Sequence, residues 1–82
     1  MDDQPTTLWK LRRNGEFITC QVRLVTYGIE VDLTHNGSVI LTRAFESGEE
    51  AQAWAQTKHA AREAQGWTPE PLDPSERPVN VA

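Results

Sequence analysis

The sequence contains one cysteine and two histidines, residue types that often catalyse reactions or bind metals: Cys20, His35 and His59. A nucleophilic cysteine needs solvent exposure and a nearby base, and a structural zinc site needs four ligands at close spacing. Cys20 falls at an inward position of a predicted strand, and the histidines have no partners at ligand spacing. The chain also lacks the glycine-rich and nucleophile motifs of nucleotide-binding proteins and hydrolases. We therefore predict a non-enzymatic protein with no catalytic residue, no metal site and no cofactor.

A second group of side chains could bind a charged partner. Alternation places four of them on the outer face of a predicted sheet: Lys10, Arg12, Phe17 and Arg23. Cations beside an aromatic ring are typical of surfaces that bind nucleic acids or other anions. The alternative is a solvated face on which the cations form ion pairs with carboxylates of neighbouring strands. Because the net charge is −4, we rank nucleic-acid binding second among the functional predictions.

Three apolar side chains of the predicted fourth strand share that outer face: Val39, Leu41 and Phe45. An exposed apolar strand at a sheet edge pairs readily with another chain, and a second copy is the simplest cover. The alternative is a register shifted by one residue, which would turn Val39 and Leu41 towards the core. We therefore predict first a small binding or interaction protein that associates with itself, as a homodimer, or with another protein.

Turn sequences mark the strands that position these residues. Asn14-Gly15 and Asn36-Gly37 each lie between apolar, β-branched stretches and suit two-residue type I′ turns, and a third two-residue turn is predicted at Tyr27-Gly28. Neighbours in sequence are then neighbours in the sheet, which is an antiparallel meander. The predicted cross-strand pairs are Arg13–Glu16, Leu11–Ile18 and Trp9–Cys20 in the first hairpin, Leu24–Val31, Val22–Leu33 and Arg23–Asp32 in the second, and Leu33–Ile40, Val31–Thr42, Ile29–Ala44 and Glu30–Arg43 in the third.

A helix is predicted over residues 48–65, where helix-forming residues predominate. Ser47 and Glu50 fit a capping box at its start, and Trp67, just past its end, is expected to fold back onto the last turn. The inward stripe has one large apolar side chain, Trp54, which we expect to be the main contact with the sheet. The fold class predicted is α+β: a four-stranded antiparallel β-meander with one C-terminal α-helix packed on one face. The predicted stripe consists of Ala51, Trp54, Ala55, Lys58 and Ala61.

The two ends of the chain differ in composition from the middle. Residues 68–82 contain four of the five prolines and few apolar side chains. We predict a disordered lead over 1–6, a single ββββα domain over 7–67 and a disordered tail over 68–82. The alternative for the tail is a docking peptide of polyproline character. With one cysteine, no signal peptide and no apolar run of membrane-spanning length, we expect a cytoplasmic protein without membrane association.

Three segments, LWKLRRNGEF, YGIEVDL and AFESGEEAQAWAQTKHAAREAQGW, together resemble small bacterial proteins without an assigned activity. The resemblance covers residues 8–67 through core and capping positions, so it supports the fold and implies no activity. More distantly, FESGEEAQAWA running to the final GW is similar to the C-terminal part of WGR domains, β-rich modules with a helix that can bind nucleic acid. Only Tyr27-Gly28-Ile29 stands near the place of the Trp-Gly-Arg signature, so no binding residue is carried over from those domains.

Overall fold

In a computed structural model, which describes residues 5–72, the chain forms one antiparallel sheet and one helix. The strand order across the sheet is β4-β3-β2-β1-β5, and each neighbouring pair is antiparallel. The predicted α+β meander with a helix on one face is therefore confirmed, and a short fifth strand is added to it. The elements are β1 (Thr6–Arg13), β2 (Glu16–Val25), β3 (Gly28–His35), β4 (Ser38–Phe45), α1 (Gly48–Glu63) and β5 (Thr68–Pro69).

The first hairpin, β1–β2, has the predicted register. Asn14 and Gly15 both have positive φ, 51° and 80°, as a type I′ turn requires. Leu8 is an extra residue in β1, and this bulge brings both Leu8 and Trp9 against the core. The three predicted pairs are all present: Arg13–Glu16, Leu11–Ile18 and Trp9–Cys20.

The second turn lies one residue earlier than predicted, at Thr26-Tyr27, because Val25 pairs with Gly28. The predicted register is therefore wrong by two residues, although an even shift leaves every side chain on its predicted face. Gly28 is needed for a different reason: its φ is +147°, and a Cβ there would collide with the carbonyl oxygen of Phe45 on β4. The observed pairs are Leu24–Ile29, Arg23–Glu30 and Val22–Val31.

The third turn is the predicted two-residue turn, with φ of 51° at Asn36 and 90° at Gly37. Beyond it, however, Ile40 has no partner, and this bulge shifts the rest of β4 by one residue against β3. The predicted pairs of this hairpin are therefore wrong after the turn. The observed pairs are His35–Ser38 and Thr34–Val39 before the bulge, then Leu33–Leu41, Asp32–Thr42, Val31–Arg43, Glu30–Ala44 and Ile29–Phe45.

The bulge changes which face of the sheet the fourth strand presents. Val39 stays on the outer face, as predicted, but Leu41 and Phe45 lie on the face that carries the helix. The prediction of an outward Phe45 is wrong, because its ring packs against Trp54 of α1 with ring centroids 5.7 Å apart. The predicted outward orientation therefore holds for Val39, and the alternative, a register shifted by one residue, holds for Leu41.

Helix α1 packs on the inner face of the sheet through small residues. The Ser47 hydroxyl accepts a hydrogen bond from the Glu50 N–H at 3.2 Å, which forms the predicted N-cap. Ala51 and Ala55 are buried, so the helix axis approaches the strands closely. Trp54 is only half-buried, at the margin of this contact. The main core cluster consists of Cys20, Val31, Leu33, Ala51 and Ala55.

The C-terminal half of α1 departs from the predicted stripe. Ala61 is exposed, and His59 lies against the sheet instead, with its ring edge-on to Trp9 at a centroid distance of 5.2 Å. The Trp9 Nε1–H donates a hydrogen bond to the Ala55 carbonyl at 3.2 Å. The indole of β1 therefore holds the helix through both a ring contact and a hydrogen bond.

Trp67 forms the second part of the core. Its N–H donates to the Arg62 carbonyl at 3.2 Å, so the backbone turns back onto the last helical turn. Its side chain, however, is only 5% exposed and packs on Leu11 and Ile18 of the first hairpin. Trp67 rather than Trp54 is therefore the most deeply buried tryptophan, and the prediction of Trp54 as the main contact is corrected.

The burial of Trp67 brings the chain that follows it beside β1. β5 pairs there with Leu11 and Arg12, which completes the fifth position in the sheet. Regular structure therefore extends past the predicted boundary at residue 67 into the first residues of the predicted tail. The predictions for residues 1–4 and 73–82 lie outside the described residues.

Candidate interaction surface along the fourth strand

The two edges of the sheet differ in how far they can pair with another chain. β5, at one edge, has only two residues, and Pro69 has no N–H to donate. β4, at the other edge, has eight residues. Within residues 5–72 no other strand pairs with its outer side. The backbone N–H and C=O groups on that side can therefore pair with another polypeptide.

Three consecutive apolar side chains of β4 are exposed, Val39 at 58%, Ile40 at 50% and Leu41 at 41%. We name this set the apolar corner, because it lies beside the turn that joins β3 to β4. The bulge points Val39 to the outer face and Leu41 to the helix side, so the corner presents apolar surface on both sides of the sheet edge. The segment Ser38–Thr42 has no charged residue and no proline.

A groove runs between the second half of β4 and α1. Its floor is formed by the tilted ring pair of Phe45 and Trp54. The groove is open to solvent and encloses about 570 Å³. We name it the strand–helix groove. Its lining residues are Arg43, Ala44, Phe45, Glu46, Glu50, Ala53, Trp54 and Thr57.

Two cations stack on the rings of this groove: Arg43 belongs to its lining, and Lys58 lies one helical turn beyond Trp54. The Arg43 guanidinium lies 5.6 Å from the centroid of Phe45, and the Lys58 Nζ lies 5.3 Å from that of Trp54. Neither cation forms an ion pair with a carboxylate among the described residues. Arg43 is exposed and Lys58 is partly exposed, so an anion can reach both charged groups.

The predicted basic surface on the outer face has a different character. Arg23 forms ion pairs with Glu30 and with Asp32, the latter at 3.6 Å, and Arg12 lies 3.5 Å from Glu70. Carboxylates that face these guanidinium groups reduce the positive potential available to a phosphate backbone.

The other two residues of that predicted set share the outer face. Lys10 is half-buried opposite Thr19, and Phe17 is 37% exposed near the first turn. The four residues therefore share one face of the sheet. Arg12 and Arg23 are paired there with carboxylates, as the alternative prediction of a solvated face with ion pairs described.

The residues with potential chemistry have different surroundings: Cys20 is in the core, His35 is on the surface and His59 lies against Trp9. Cys20 is a free thiol, and burial, with a contribution from Asp32, raises its pKa to about 12, so it carries no thiolate near neutral pH. His35 Nε2 is 2.6 Å from a Glu16 carboxylate oxygen on the surface. Among residues 5–72, no group of three or more His, Cys, Asp or Glu side chains could hold a metal ion.

A second groove lies on the other side of α1, away from β4. It is almost entirely apolar, encloses about 520 Å³ and contains Leu24, which is 77% exposed. It has none of the cations or paired aromatic rings of the strand–helix groove. Its lining residues are Leu8, Val22, Leu24, Ile29, Gly48, Glu49, Ala51 and Gln52.

Sequence reasoning missed the strand–helix groove because it treated the helix and β4 separately. The available signals were the spacing of Trp54 and Lys58 by one helical turn, and that of Arg43 and Phe45 by two strand residues. Each spacing places its two side chains on one face of their element. What the sequence did not indicate was that these two faces would meet.

Comparison with protein-family models, with curated proteins and with solved structures gives no match to this chain. The resemblances described above therefore stay predictions. Within residues 5–72, no helix has the length and apolar character that crossing a membrane requires.

Proposed function

We propose that the protein is a small, non-enzymatic interaction protein that binds polypeptides through β4, and that it forms a homodimer through the apolar corner. The observation that carries this proposal is the exposure of Val39, Ile40 and Leu41 on an unpaired edge strand. Natural edge strands are usually protected by lysine, proline or inward charges, and Ser38–Thr42 has none of these. The bulge at Ile40 is its one protective feature.

A second copy fits the apolar corner for two reasons. A two-fold axis brings the same patch of each copy together, so that six exposed apolar side chains would be removed from water. Because the corner has no charge, the two copies meet there without like-charge repulsion. The proposal includes a cytoplasmic location, which the free, buried thiol of Cys20 supports.

Sedimentation velocity of three proteins at tens of micromolar tests the homodimer. We expect the wild type to sediment as a dimer and Leu41→Lys as a folded monomer, because a lysine in the corner would place two charges at the interface. Leu24→Lys is the matched control, since Leu24 is more exposed than Leu41 but lies on the other side of α1. A monomeric wild type, or a dimer that only Leu24→Lys disrupts, would contradict the proposal.

The ion pairs of Arg12 and Arg23 argue against nucleic-acid binding as the main function. An electrophoretic mobility shift with single-stranded and double-stranded DNA and RNA, at low and high salt, tests this ranking. Phosphate contacts would give a steep dependence on salt. We expect no shift at physiological ionic strength, and a salt-dependent shift that Arg23→Gln weakens would reverse the ranking.

A further inference from the structure

We propose that the strand–helix groove binds an extended segment of a partner protein that carries one acidic side chain. The segment adds as a strand to Arg43–Phe45 and places its carboxylate beside the cations stacked on the rings, Arg43 and Lys58. This inference does not rest on the homodimer, because it uses the residues of β4 beyond the apolar corner together with α1. It concerns a partner of different chemistry from a second copy of this chain.

The backbone of β4 supports strand addition at this place. After the bulge at Ile40, the strand pairs regularly with β3 from Leu41 to Phe45. A regular edge strand beside a helix can receive an extended peptide, whose backbone supplies hydrogen bonds while alternate side chains enter the groove. In the strand–helix groove those side chains would meet the rings of Phe45 and Trp54.

The charges of the groove favour a carboxylate from a different chain. Arg43 and Lys58 are each stacked on a ring and have no acidic partner among the described residues, in contrast to Arg12 and Arg23. Two copies of β4 paired symmetrically about Arg43 would oppose two guanidinium groups, and like charges directly opposite each other are destabilising. A partner strand with Asp or Glu at that position would instead form a charge-assisted hydrogen bond.

The acidic residues of the groove distinguish a peptide from a nucleic acid. Glu46 follows β4, and Glu50 lies in the first turn of α1, two helical turns before Lys58. A nucleic acid carries a negative charge at every phosphate and would meet both carboxylates as it passed along the groove. A peptide with a single acidic side chain at the Arg43–Lys58 end avoids that repulsion.

The test uses three synthetic heptapeptides, TVTETFT, TVTKTFT and TVTQTFT, in which the second, fourth and sixth side chains share one face. They are titrated to low millimolar concentration into the ¹⁵N-labelled full chain, both wild type and Leu41→Lys. The Leu41→Lys variant separates this test from self-association at the apolar corner. We expect shifts at the amides of β4 and at the Trp54 indole, with TVTETFT binding about tenfold tighter than TVTKTFT.

A charge exchange makes the test specific. The double variant Arg43→Glu, Lys58→Glu should reverse the preference and bind TVTKTFT more tightly than TVTETFT. Leu24→Glu, which adds a negative charge on the other side of α1, should keep the wild-type preference. Equal binding of the acidic and basic peptides, an unchanged preference in the folded double variant, or no shift in β4 with any peptide would overturn the proposal.

Discussion

One edge of the sheet is covered by β5 at Leu11 and Arg12, and we call it the closed edge; the other, along β4, is open. The two edges are built from different kinds of sequence. At the closed edge, the Glu70 N–H donates to the Lys10 carbonyl at 2.8 Å, and the Thr68 hydroxyl donates to the Arg12 carbonyl at 3.2 Å. Pro69 has no N–H to donate to a further strand at this edge. At the open edge, β4 is longer and more apolar, and within residues 5–72 no element of the chain covers it.

Within residues 5–72, a further strand segment therefore pairs with the edge at β1, but none pairs with the edge at β4. The closure depends on a buried anchor, Trp67, which holds the chain beside β1, and on the short proline-containing segment that follows it. The corresponding chain at the other edge, after Phe45, instead turns immediately into α1. Because α1 folds back over the inner face, it does not cover the unpaired backbone edge of β4. This edge is where we propose that partners bind.

The largest effect is expected at the anchor of the closed edge. Trp67→Ala should reduce the free energy of unfolding by about 3–5 kcal/mol, because it empties a site packed against Leu11 and Ile18. Trp54→Ala removes a ring that is only half-buried and should cost less. Equilibrium urea denaturation followed by circular dichroism measures both. A larger loss for Trp54→Ala would mean that the helix contact, not the closed edge, dominates the stability.

The attachment of the open edge strand is tested at Gly28. Gly28→Ala should cost about 3 kcal/mol, because the methyl group would collide with the Phe45 carbonyl and force β4 away from β3. Gly37→Ala is the matched control: Gly37 also has positive φ, but there is open space around it, so only the backbone strain of about 1–2 kcal/mol applies. Thermal unfolding compares the two, and equal losses would show that contact with β4 plays no part at Gly28.

The smallest effect is expected for β5 itself. A chain that ends after Trp67 should be about 1 kcal/mol less stable than one that ends after Leu72, because it loses the few hydrogen bonds to β1 and the exposed Arg12–Glu70 ion pair. Both truncated chains keep the Trp67 anchor, and chemical denaturation measures the difference between them. If their midpoints coincide, the pairing of β5 contributes nothing to stability and the edge is closed by Trp67 alone.

The strands and the helix were predictable because local signals agree with the fold. Two Asn-Gly turns, alternation in β1 and β2, and the Ser47 cap each act over a few residues, and each was confirmed. The second turn was misplaced because Gly28 resembles a turn glycine. A glycine is required at position 28 because the Phe45 carbonyl, 17 residues later in the sequence, approaches it closely. No local sequence pattern indicates such a contact.

The candidate surface was only partly predictable. The apolar residues at 39 and 41 were recognised, but β4 is apolar at consecutive positions, so alternation could not locate the bulge at Ile40. That bulge decides that Phe45 faces Trp54 and not solvent. The role of Trp67 was missed for a similar reason, because a helix-ending motif predicts where the backbone turns but not which part of the sheet the indole covers.

The order of the strands also bears on how the chain folds. β1 to β4 pair in sequence order, so most of the sheet can form from hairpins, which form in microseconds. The bond from Thr68 to Arg12 is an exception, since it joins residues 56 positions apart and requires most of the chain to be in place. Closing the loop between Arg12 and Thr68 costs more conformational entropy than closing a hairpin turn. Folding rates fall as such distant contacts increase. The closed edge is therefore expected to form last, after the meander and helix, so that a newly made chain has both edges of its sheet exposed for a short time.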